Sequence, residues 1–370
     1  MKILIVRTFP NIINPHQYNV QEIGLAKALT RKGYQCGIVL YNGNKADSVE
    51  HVPVLCEDGI SREFVIYRLR GIGILKNGFF PSLGKIVKQY DVIQVHEYDQ
   101  ITSWLLYAWS KKKIVIYHGP YYHQFNKGYN FKCKVFDSIF LRIRHNRDVV
   151  CMTKSTLATD FLISKGFRNV KTVGVGLDLG NFGAECKEEI PIDPTKKNVI
   201  YIGKIEERRN SLFLLEIMKE LHRKDSEVNC IIIGNGETEY VQKFLSEAES
   251  MKKEGYLQYY EKASQSQLAR LYGKAQLMLF PSNYEIYGMV LSEAAHFGLP
   301  VVTSQNGGAD IFLQEHFAGK VLVDFDLKTW VDASLELLSR SVNRDVLQEQ
   351  KQKKLSWDAK VDDFVEGYNA

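Results

Sequence analysis

The stretch Asn283–Gly308, NYEIYGMVLSEAAHFGLPVVTSQNGG, holds the features that decide the fold of this 370-residue chain. It follows the apolar run Leu277–Phe280, which predicts a buried strand that ends at Pro281. Gly288 allows a sharp turn, and Met289–Phe297 is then predicted to be helical. A strand that leads through a loop into a helix amino terminus is typical of the ligand-binding edge of an open α/β sheet.

Two carboxylates belong to this edge. Glu285 lies in the predicted loop, and Glu293 lies about one turn inside the predicted helix. The amides of a loop and of a helix start favour an anion, because the helix dipole is positive there. The amides available in this place are those of Ile286, Tyr287, Gly288 and Met289.

The spacing of Glu285 and Glu293, with Gly298-Leu299-Pro300 and Gly307-Gly308 downstream, resembles the E-x7-E signature of family 4 retaining glycosyltransferases. The resemblance implies an α/β protein of GT-B fold, with two Rossmann-like doubly wound domains facing across a cleft. It also implies a C-terminal helix that crosses back to the N-terminal domain, and transfer of a sugar from a nucleotide diphosphate donor. A helix that carries two solvated glutamates is the competing interpretation.

The resemblance assigns a role to each carboxylate. Glu285 is expected to accept hydrogen bonds from hydroxyls of the donor sugar, and Glu293 from the paired ribose hydroxyls, because one carboxylate can accept from two adjacent OH groups. The loop amides would hold the sugar and the phosphates. No separate nucleophile is expected, since the family retains anomeric configuration by attack on the face that the diphosphate leaves.

The loop Gly203–Asn210 is predicted to connect a strand to a helix. In the family this loop places an Arg directly after a Gly and a Lys five positions later, both on the donor diphosphate. Here those places hold Lys204 and Arg209, with Arg208 as an alternative, while a charged solvated loop is the competing interpretation. Gly203, at the strand end, and Gly234, in a Gly-x-Gly turn below the nucleotide, are expected to line the same site.

In the first half of the chain, His118 follows the predicted strand Ile114–Tyr117 and resembles the family histidine that approaches the donor sugar from across the cleft. A satisfied structural histidine is the alternative. His96 also ends a predicted strand, and we expect it to serve on the acceptor side or in packing.

The first loop departs from the family. Where members commonly carry Gly-Gly, this chain has Asn14-Pro15-His16-Gln17-Tyr18, and His16 and Gln17 are the residues expected to bind substrate there. Side chains hinder a close backbone approach, so the loop rearranges or the acceptor is held in another way. The acid that typically follows the downstream Gly-Gly is also displaced, with Asp310 the nearest candidate.

Charge is unevenly distributed along the chain. Net charge is +5, but Met1–Glu185 holds 25 Lys+Arg against 14 Asp+Glu, whereas the remainder holds 23 against 29. This asymmetry predicts an anionic partner for the first half. No nucleic-acid-binding signature is present, so an anionic membrane surface fits better. The basic aromatic segment Phe125–Arg147 is the candidate contact, and a core helix with a solvated basic face is equally compatible with it.

Cysteine usage and hydropathy indicate the compartment. Six cysteines show no metal-type clustering, which predicts free thiols in a reducing cytoplasm. No transmembrane stretch or cleaved signal peptide is expected, so the protein is predicted to be cytoplasmic, with peripheral binding to the inner face of the cell membrane left open. Asp324-Phe325-Asp326 is interpreted as a turn or helix cap rather than a metal motif, and neither a metal nor a cofactor is expected.

Strand and helix patterns alternate twice along the chain, which predicts two open sheets. We expect an acceptor-side domain over 1–182, a linker over 183–198, a nucleotide-sugar-binding domain over 199–355 and a returning helix over 356–370.

The sequence therefore predicts transfer of a hexose or N-acetylhexosamine from a UDP-sugar to a lipid-linked or surface-polysaccharide acceptor. Two other readings stay open: a sugar-nucleotide epimerase or hydrolase of the same fold, and a non-catalytic sugar-nucleotide-binding partner subunit.

Overall fold

A computed structural model describes residues 1–16, 20–56, 58–183, 186, 188–313, 318–340 and 355–370. The chain divides into two compact units. Unit 1 contains Met1–Asp178 together with Ser356–Ala370, and unit 2 contains Leu179–Leu355. Each unit is built on its own sheet.

The sheet of unit 1 has eight strands in the order β10-β9-β8-β7-β1-β2-β4-β3, all parallel except the edge strand β3. The central strands are almost continuously apolar because helices cover both faces of a parallel sheet. The strands are β1 Lys2–Val6, β2 Gln35–Tyr41, β3 Ser48–Leu55, β4 Ser61–Leu69, β7 Val92–His96, β8 Lys113–His118, β9 Val150–Thr153 and β10 Val170–Thr172, with a separate hairpin of β5 Ile72–Ile74 and β6 Asn77–Phe79.

Helices separate these strands in the sequence. One of them, α4, continues directly into a π-helical turn, Asp137–Leu141. The helices of unit 1 are α1 Gln21–Arg31, α2 Leu83–Val87, α3 Ile101–Trp109, α4 Lys127–Phe136, α5 Thr156–Ser164 and, after unit 2, α12 Trp357–Asn369.

The sheet of unit 2 has six parallel strands in the order β13-β12-β11-β14-β15-β16. In the shared register, Val199 of β11 aligns with Cys230 of β12 on one side and with Leu277 of β14 on the other. The strands are β11 Lys197–Ile202, β12 Val228–Ile233, β13 Leu257–Tyr260, β14 Leu277–Phe280, β15 Val301–Ser304 and β16 Gly319–Leu322, and the helices are α6 Ser211–Lys224, α7 Thr238–Glu247, α8 Glu249–Lys253, α9 Gln265–Lys274, α10 Met289–His296 and α11 Leu327–Ser339.

One stated boundary needs correction, and two elements differ from the sequence pattern. The linker expected over 183–198 is too long at its end, because Lys197 and Asn198 already pair with β12. Residues 237–253, whose pattern predicts a single helix, form the two helices α7 and α8, since the chain is interrupted at Ala248. The edge strand β3 escaped prediction because its charged residues and Pro53 hide the alternation of a half-exposed strand.

The last helix, α12, packs within unit 1. Its Trp357 ring lies so close to Gly24 of α1 that a β-carbon at this glycine would overlap the ring, and the same holds at Gly176. Arg31, in the last turn of α1, forms an ion pair of 2.8 Å with Asp358. The return of the C-terminal helix to the first sheet is as the family resemblance implied.

Across the part of the chain that the structure describes, no helix combines the length and apolar character needed to span a bilayer.

Candidate nucleotide-sugar site

The candidate site lies in unit 2, at the carboxyl ends of β11 and β14. These strands are neighbours, while β12 and β13 extend the sheet on one side and β15 and β16 on the other. The strand order therefore reverses between β11 and β14, and ligands of open α/β sheets bind in the crevice at such a switch point. The two loops that leave this point are Gly203–Asn210 and Pro281–Gly288.

Glu285 is the centre of the site. Its side chain is buried, and its Oε1 lies 2.7 Å from Nη1 of Arg209 and 2.9 Å from Nη1 of Arg208. The hydroxyl of Ser282 donates a hydrogen bond of 2.8 Å to the same oxygen. The structure thus joins the loop after β11 to the loop after β14 through one carboxylate, and it brings together the predicted residues Glu285 and Arg209.

A second carboxylate shares the two arginines. Oε1 of Glu206 lies 2.6 Å from Nη2 of Arg208 and 3.7 Å from Nε of Arg209. Arg208 also donates to the backbone carbonyl of Tyr284. Two guanidinium groups are therefore fixed in place at the switch point, where they present planar donors suited to phosphate oxygens.

Gly288 caps the helix that follows Glu285. Its φ of 66° is left-handed, and α10 begins at the next residue. The amides of Ile286 and Tyr287 precede this start, as predicted. Gly307 and Gly308 pack directly against this loop, since a β-carbon on either would overlap the carbonyl oxygens of Ile286 and Tyr287. The Gly-Gly pair thus holds the loop and the amino terminus of α10 in position.

Glu293 lies one turn inside α10 and is buried. Its Oε2 accepts a hydrogen bond of 2.7 Å from the hydroxyl of the buried Tyr272, on α9. The second carboxylate of the signature is therefore oriented by a neighbouring helix rather than solvated on the surface.

Lys204 differs from the arginines, because its side chain is exposed and makes no ion pair with any residue that the structure describes. Gly203 and Gly234 have a packing role: a β-carbon at Gly234 would overlap the carbonyl oxygen of Gly203. These glycines let the loops after β11 and β12 come close together.

His118, at the end of β8 in unit 1, is fully buried. Its ring stacks on Phe161 with centroids 5.5 Å apart, and its Nδ1 lies 2.5 Å from Oε2 of Glu97. Burial by itself would raise the pKa of Glu97, but the nearby charges of His118 and Lys154 lower that pKa to about 2. The enclosed ring offers no surface to a ligand in this structure.

His96 belongs to a buried polar network in unit 1. Its Nδ1 lies 3.2 Å from Oε1 of Glu22, which also holds Arg7 at 2.8 Å. On the other side, Gln94 lies 3.4 Å from Nε2 of His96 and accepts a hydrogen bond of 2.6 Å from Tyr368 of α12. Of the two roles expected for His96, packing is the one that the structure displays.

The predictions for the first loop and for the aspartates after the Gly-Gly pair have different outcomes. His16 is exposed and pairs with Glu50 of β3 at 2.9 Å, whereas Gln17 lies outside the described residues. Asp310 is the second residue of a short 3-10 helix, Ala309–Leu313, that follows the Gly-Gly pair. Asp326 caps α11 by accepting from the amide of Thr329 at 2.8 Å, which confirms the helix-cap interpretation of that motif.

One cluster among the described residues has ligand atoms close enough together to hold a metal ion: Glu97, Asp99 and His118, within 4.8 Å of one another. Lys132 lies 2.9 Å from Asp99, and Lys154 lies 3.6 Å from Glu97. The two ammonium groups already balance the two carboxylates, and a divalent cation would have to displace them.

Sequence reasoning missed Glu206, Ser282, Tyr272 and Glu97. Each is polar and close to a predicted residue in space. Glu206 lies in the predicted loop itself, between Lys204 and Arg209. Of the four residues, it is therefore the one that the sequence could most readily have identified. The partnership of Tyr272 with Glu293 had no signal, because 21 residues separate them.

Comparison with solved structures defines the class of fold. The structure of Anabaena Alr3699/HepE in complex with UDP is similar over 100% of both chains, with a TM-score of 0.66 and 13% identity. A glycosyltransferase from Rickettsia africae ESF-5 is similar over 100% of this chain and 98% of that chain, with a TM-score of 0.68 and 15% identity. The two-sheet protein described above therefore has the GT-B fold.

Matches to family models identify the family to which the chain belongs. The model described as Glycosyl transferases group 1 matches residues 184–354, and the model described as Glycosyltransferase Family 4 matches residues 23–180. The chain belongs to the family 4 glycosyltransferases, as the E-x7-E resemblance predicted.

Curated relatives match only in part. A D-inositol 3-phosphate glycosyltransferase of Segniliparus rotundus is 25% identical over 214 residues, which cover 55% of this chain and 47% of the relative. A 2-deoxystreptamine N-acetyl-D-glucosaminyltransferase of Niallia circulans is 30% identical over 122 residues, which cover 32% of this chain and 30% of the relative. The chain thus spans about half, or less, of the length of these relatives.

Proposed function

We propose that this protein is a retaining glycosyltransferase that moves a hexose or N-acetylhexosamine from a UDP-sugar to a lipid-linked or surface-polysaccharide acceptor. The observation that carries the proposal is the pairing of buried Glu285 with Arg208 and Arg209 at the β11–β14 switch point, beside the start of α10. A solvated pair of glutamates would not be built in this way.

The pairing suggests how the donor binds. A diphosphate takes the two guanidinium groups, since phosphate oxygens match their fork geometry. Glu285 then exchanges its arginine partners for hydroxyls of the donor sugar, which is the role that the family resemblance gives it. The exposed Lys204 adds a third cation to the phosphates. Glu293, already held by Tyr272 through Oε2, accepts from the ribose hydroxyls.

The cations act most strongly when the sugar leaves. As the glycosidic bond to the diphosphate breaks, its oxygen gains negative charge, and fixed positive groups stabilise that charge more in the transition state than in the ground state. The acceptor hydroxyl forms its bond on the face that the diphosphate leaves, and its proton passes to a phosphate oxygen. Anomeric configuration is thereby retained without a protein nucleophile.

UDP is the nucleotide we propose, and the choice is supported by the UDP and UDP-glucose complexes of the structurally similar Anabaena protein. A thermal-shift screen of UDP-, GDP- and ADP-sugars tests the donor directly, because a ligand that binds the folded state raises its melting temperature. We expect the UDP-sugars to give the largest shift.

Turnover then separates the alternatives. We expect UDP release from the preferred donor to require an added lipid-linked or glycan acceptor, and to continue after treatment with EDTA. Turnover without any acceptor would indicate an epimerase or hydrolase instead. Tight UDP binding with no turnover on any acceptor would indicate a non-catalytic partner subunit.

A further inference from the structure

Four large apolar side chains lie exposed along one face of α4 and the turns that follow it. We name them the exposed stripe: Phe131 is 72% exposed, Val135 42%, Ile139 48% and Ile143 62%. The same helix buries Cys133 and Phe136 on its other side. The helix therefore has its own apolar contact with the core, and the stripe is additional to it.

The π-helical turn Asp137–Leu141 keeps the stripe on one face. Members of the stripe are four residues apart. In an α-helix of 3.6 residues per turn, a step of four residues carries the side chain slightly more than one full turn around the helix axis. A π turn takes more residues per turn, so the step across it rotates in the opposite sense. The π turn therefore reduces the drift that a continuous α-helix would give to residues spaced four apart.

Positive charge surrounds the stripe. The segment 125–147 has six basic residues and a single acidic one, Asp137, which pairs with Lys165 at 2.5 Å, while Lys132 pairs with Asp99 at 2.9 Å. Lys127, Lys134 and Arg142 are exposed beside the stripe, and none of the three forms an ion pair with another residue in the described ranges. The six basic residues are Lys127, Lys132, Lys134, Arg142, Arg144 and Arg147.

Helix α3 extends this face. The guanidinium of Arg144 lies 4.4 Å from the ring of Trp109, which is 54% exposed. One turn earlier, exposed Leu105 lines an apolar groove of about 360 Å³ together with Ile72 of the β5–β6 hairpin. The stripe, Trp109 and the groove rim thus lie on neighbouring elements of unit 1.

We propose that the exposed stripe, its flanking cations and Trp109 form a docking face for an anionic lipid bilayer. Apolar side chains entering the headgroup boundary gain burial, while Lys and Arg keep their charges among the lipid phosphates. Tryptophan is favoured at this depth. A second copy of the chain would bring like charges together, which argues against self-association through this face. The inference concerns unit 1 alone and does not depend on the proposed transfer reaction.

Co-sedimentation of the full chain with unilamellar vesicles tests the proposal. We expect binding to vesicles of phosphatidylcholine with phosphatidylglycerol, weakening as salt rises, and little binding to pure phosphatidylcholine. Lys134→Glu with Arg142→Glu should weaken the partition coefficient at least tenfold, since each basic residue near such a surface contributes a factor of about five. Phe131→Ser with Ile143→Ser should weaken it by about tenfold as well.

Matched controls lie on other exposed surfaces. Lys243→Glu with Lys252→Glu makes the same change in net charge, and Leu55→Ser with Val323→Ser removes equally exposed apolar side chains. We expect both controls to bind vesicles as the unchanged protein does, and melting temperatures of all variants to agree within a few degrees.

Several results would overturn the proposal: no sedimentation with anionic vesicles at low salt, equal binding to neutral vesicles, or full binding by both stripe and charge variants. A dimer in solution that Phe131→Ser with Ile143→Ser dissociates would overturn it too, because the occupant of the face would then be a second copy.

Discussion

The carboxylate of Glu285 pairs with two arginines and accepts a hydrogen bond from a serine, and substitution of Glu285 tests whether its negative charge is needed. Glu285→Gln keeps the size of the side chain and an oxygen for Ser282, but it removes the charge that holds Arg208 and Arg209. We expect turnover to fall at least tenfold, measured as acceptor-dependent UDP release.

Lys204→Ala should also lower turnover at least tenfold, because it removes a cation that binds the donor phosphates.

Glu207→Gln is the matched control, because Glu207 is exposed in the same loop. It should leave turnover within about twofold of the unchanged protein. Near-normal rates in both Glu285→Gln and Lys204→Ala would contradict the assignment of the site.

Glu206 competes with a bound diphosphate for the same two guanidinium groups. We therefore expect Glu206→Gln to tighten UDP binding by about three- to tenfold, since an anion is removed from beside the phosphates. Isothermal titration calorimetry measures the change. Weaker binding would instead mean that Glu206 is needed to orient the arginines.

At the scale of elements, the strands predicted best are those buried on both faces. Runs such as Ile114–Tyr117 and Leu277–Phe280 are short, apolar and fully buried, so hydropathy alone locates them. The hairpin β5–β6 and the edge strand β3 are partly exposed, so they lack the continuous apolar run by which hydropathy marks a buried strand.

The same reasoning explains what was predictable in the site. Glu285 and Arg209 were placed together because a family signature marks each of their loops. The choice of Arg208 as a second partner, and the capture of both arginines by Glu206, depend on how the loop after β11 folds back, which no local pattern encodes. Likewise, the enclosure of His118, at the end of strand β8, depends on Phe161 of helix α5, which is distant in sequence.

The contact between α1 and α12 offers a test of packing. A β-carbon at Gly24 would overlap the Trp357 ring, so Gly24→Ala should destabilise the protein by roughly 1–3 kcal/mol even though alanine favours a helix. Thermal unfolding measures the effect. The control is Gly84→Ala in α2, where a β-carbon meets nothing within 4 Å and stability should stay the same or rise.

At the scale of the whole molecule, the network from Arg7 through His96 to Tyr368 links β1, α1, β7 and α12 of unit 1. Burial lowers the pKa of His96 to about 4, from an ordinary value of 6.5. Burial by itself would raise the pKa of Glu22, but His96 and Arg7 lower that pKa to about 2. The Glu22 carboxylate therefore stays charged between pH 6.5 and pH 4. The unfolded chain therefore binds more protons than the folded chain between pH 6.5 and pH 4.

We accordingly expect the melting temperature to fall as pH decreases from 6.5 to 4, because the stability that neutral His96 contributes above pH 6.5 is lost on the way to its folded pKa. His96→Gln should make this fall shallower, as followed by circular dichroism. His16→Gln, at an exposed histidine, should leave the slope unchanged. Equal slopes in all three proteins would show that His96 does not govern the acid response.

The position of α12 has a consequence for biosynthesis. Trp357–Asn369 is synthesised only after all of unit 2, yet α1 needs the Trp357 ring to cover Gly24. All residues of unit 2 precede α12 in the chain, whereas α1 of unit 1 stays uncovered until α12 has been made and released. A chain truncated after Leu355 should thus be protease-resistant in its second sheet and still cleavable in its first.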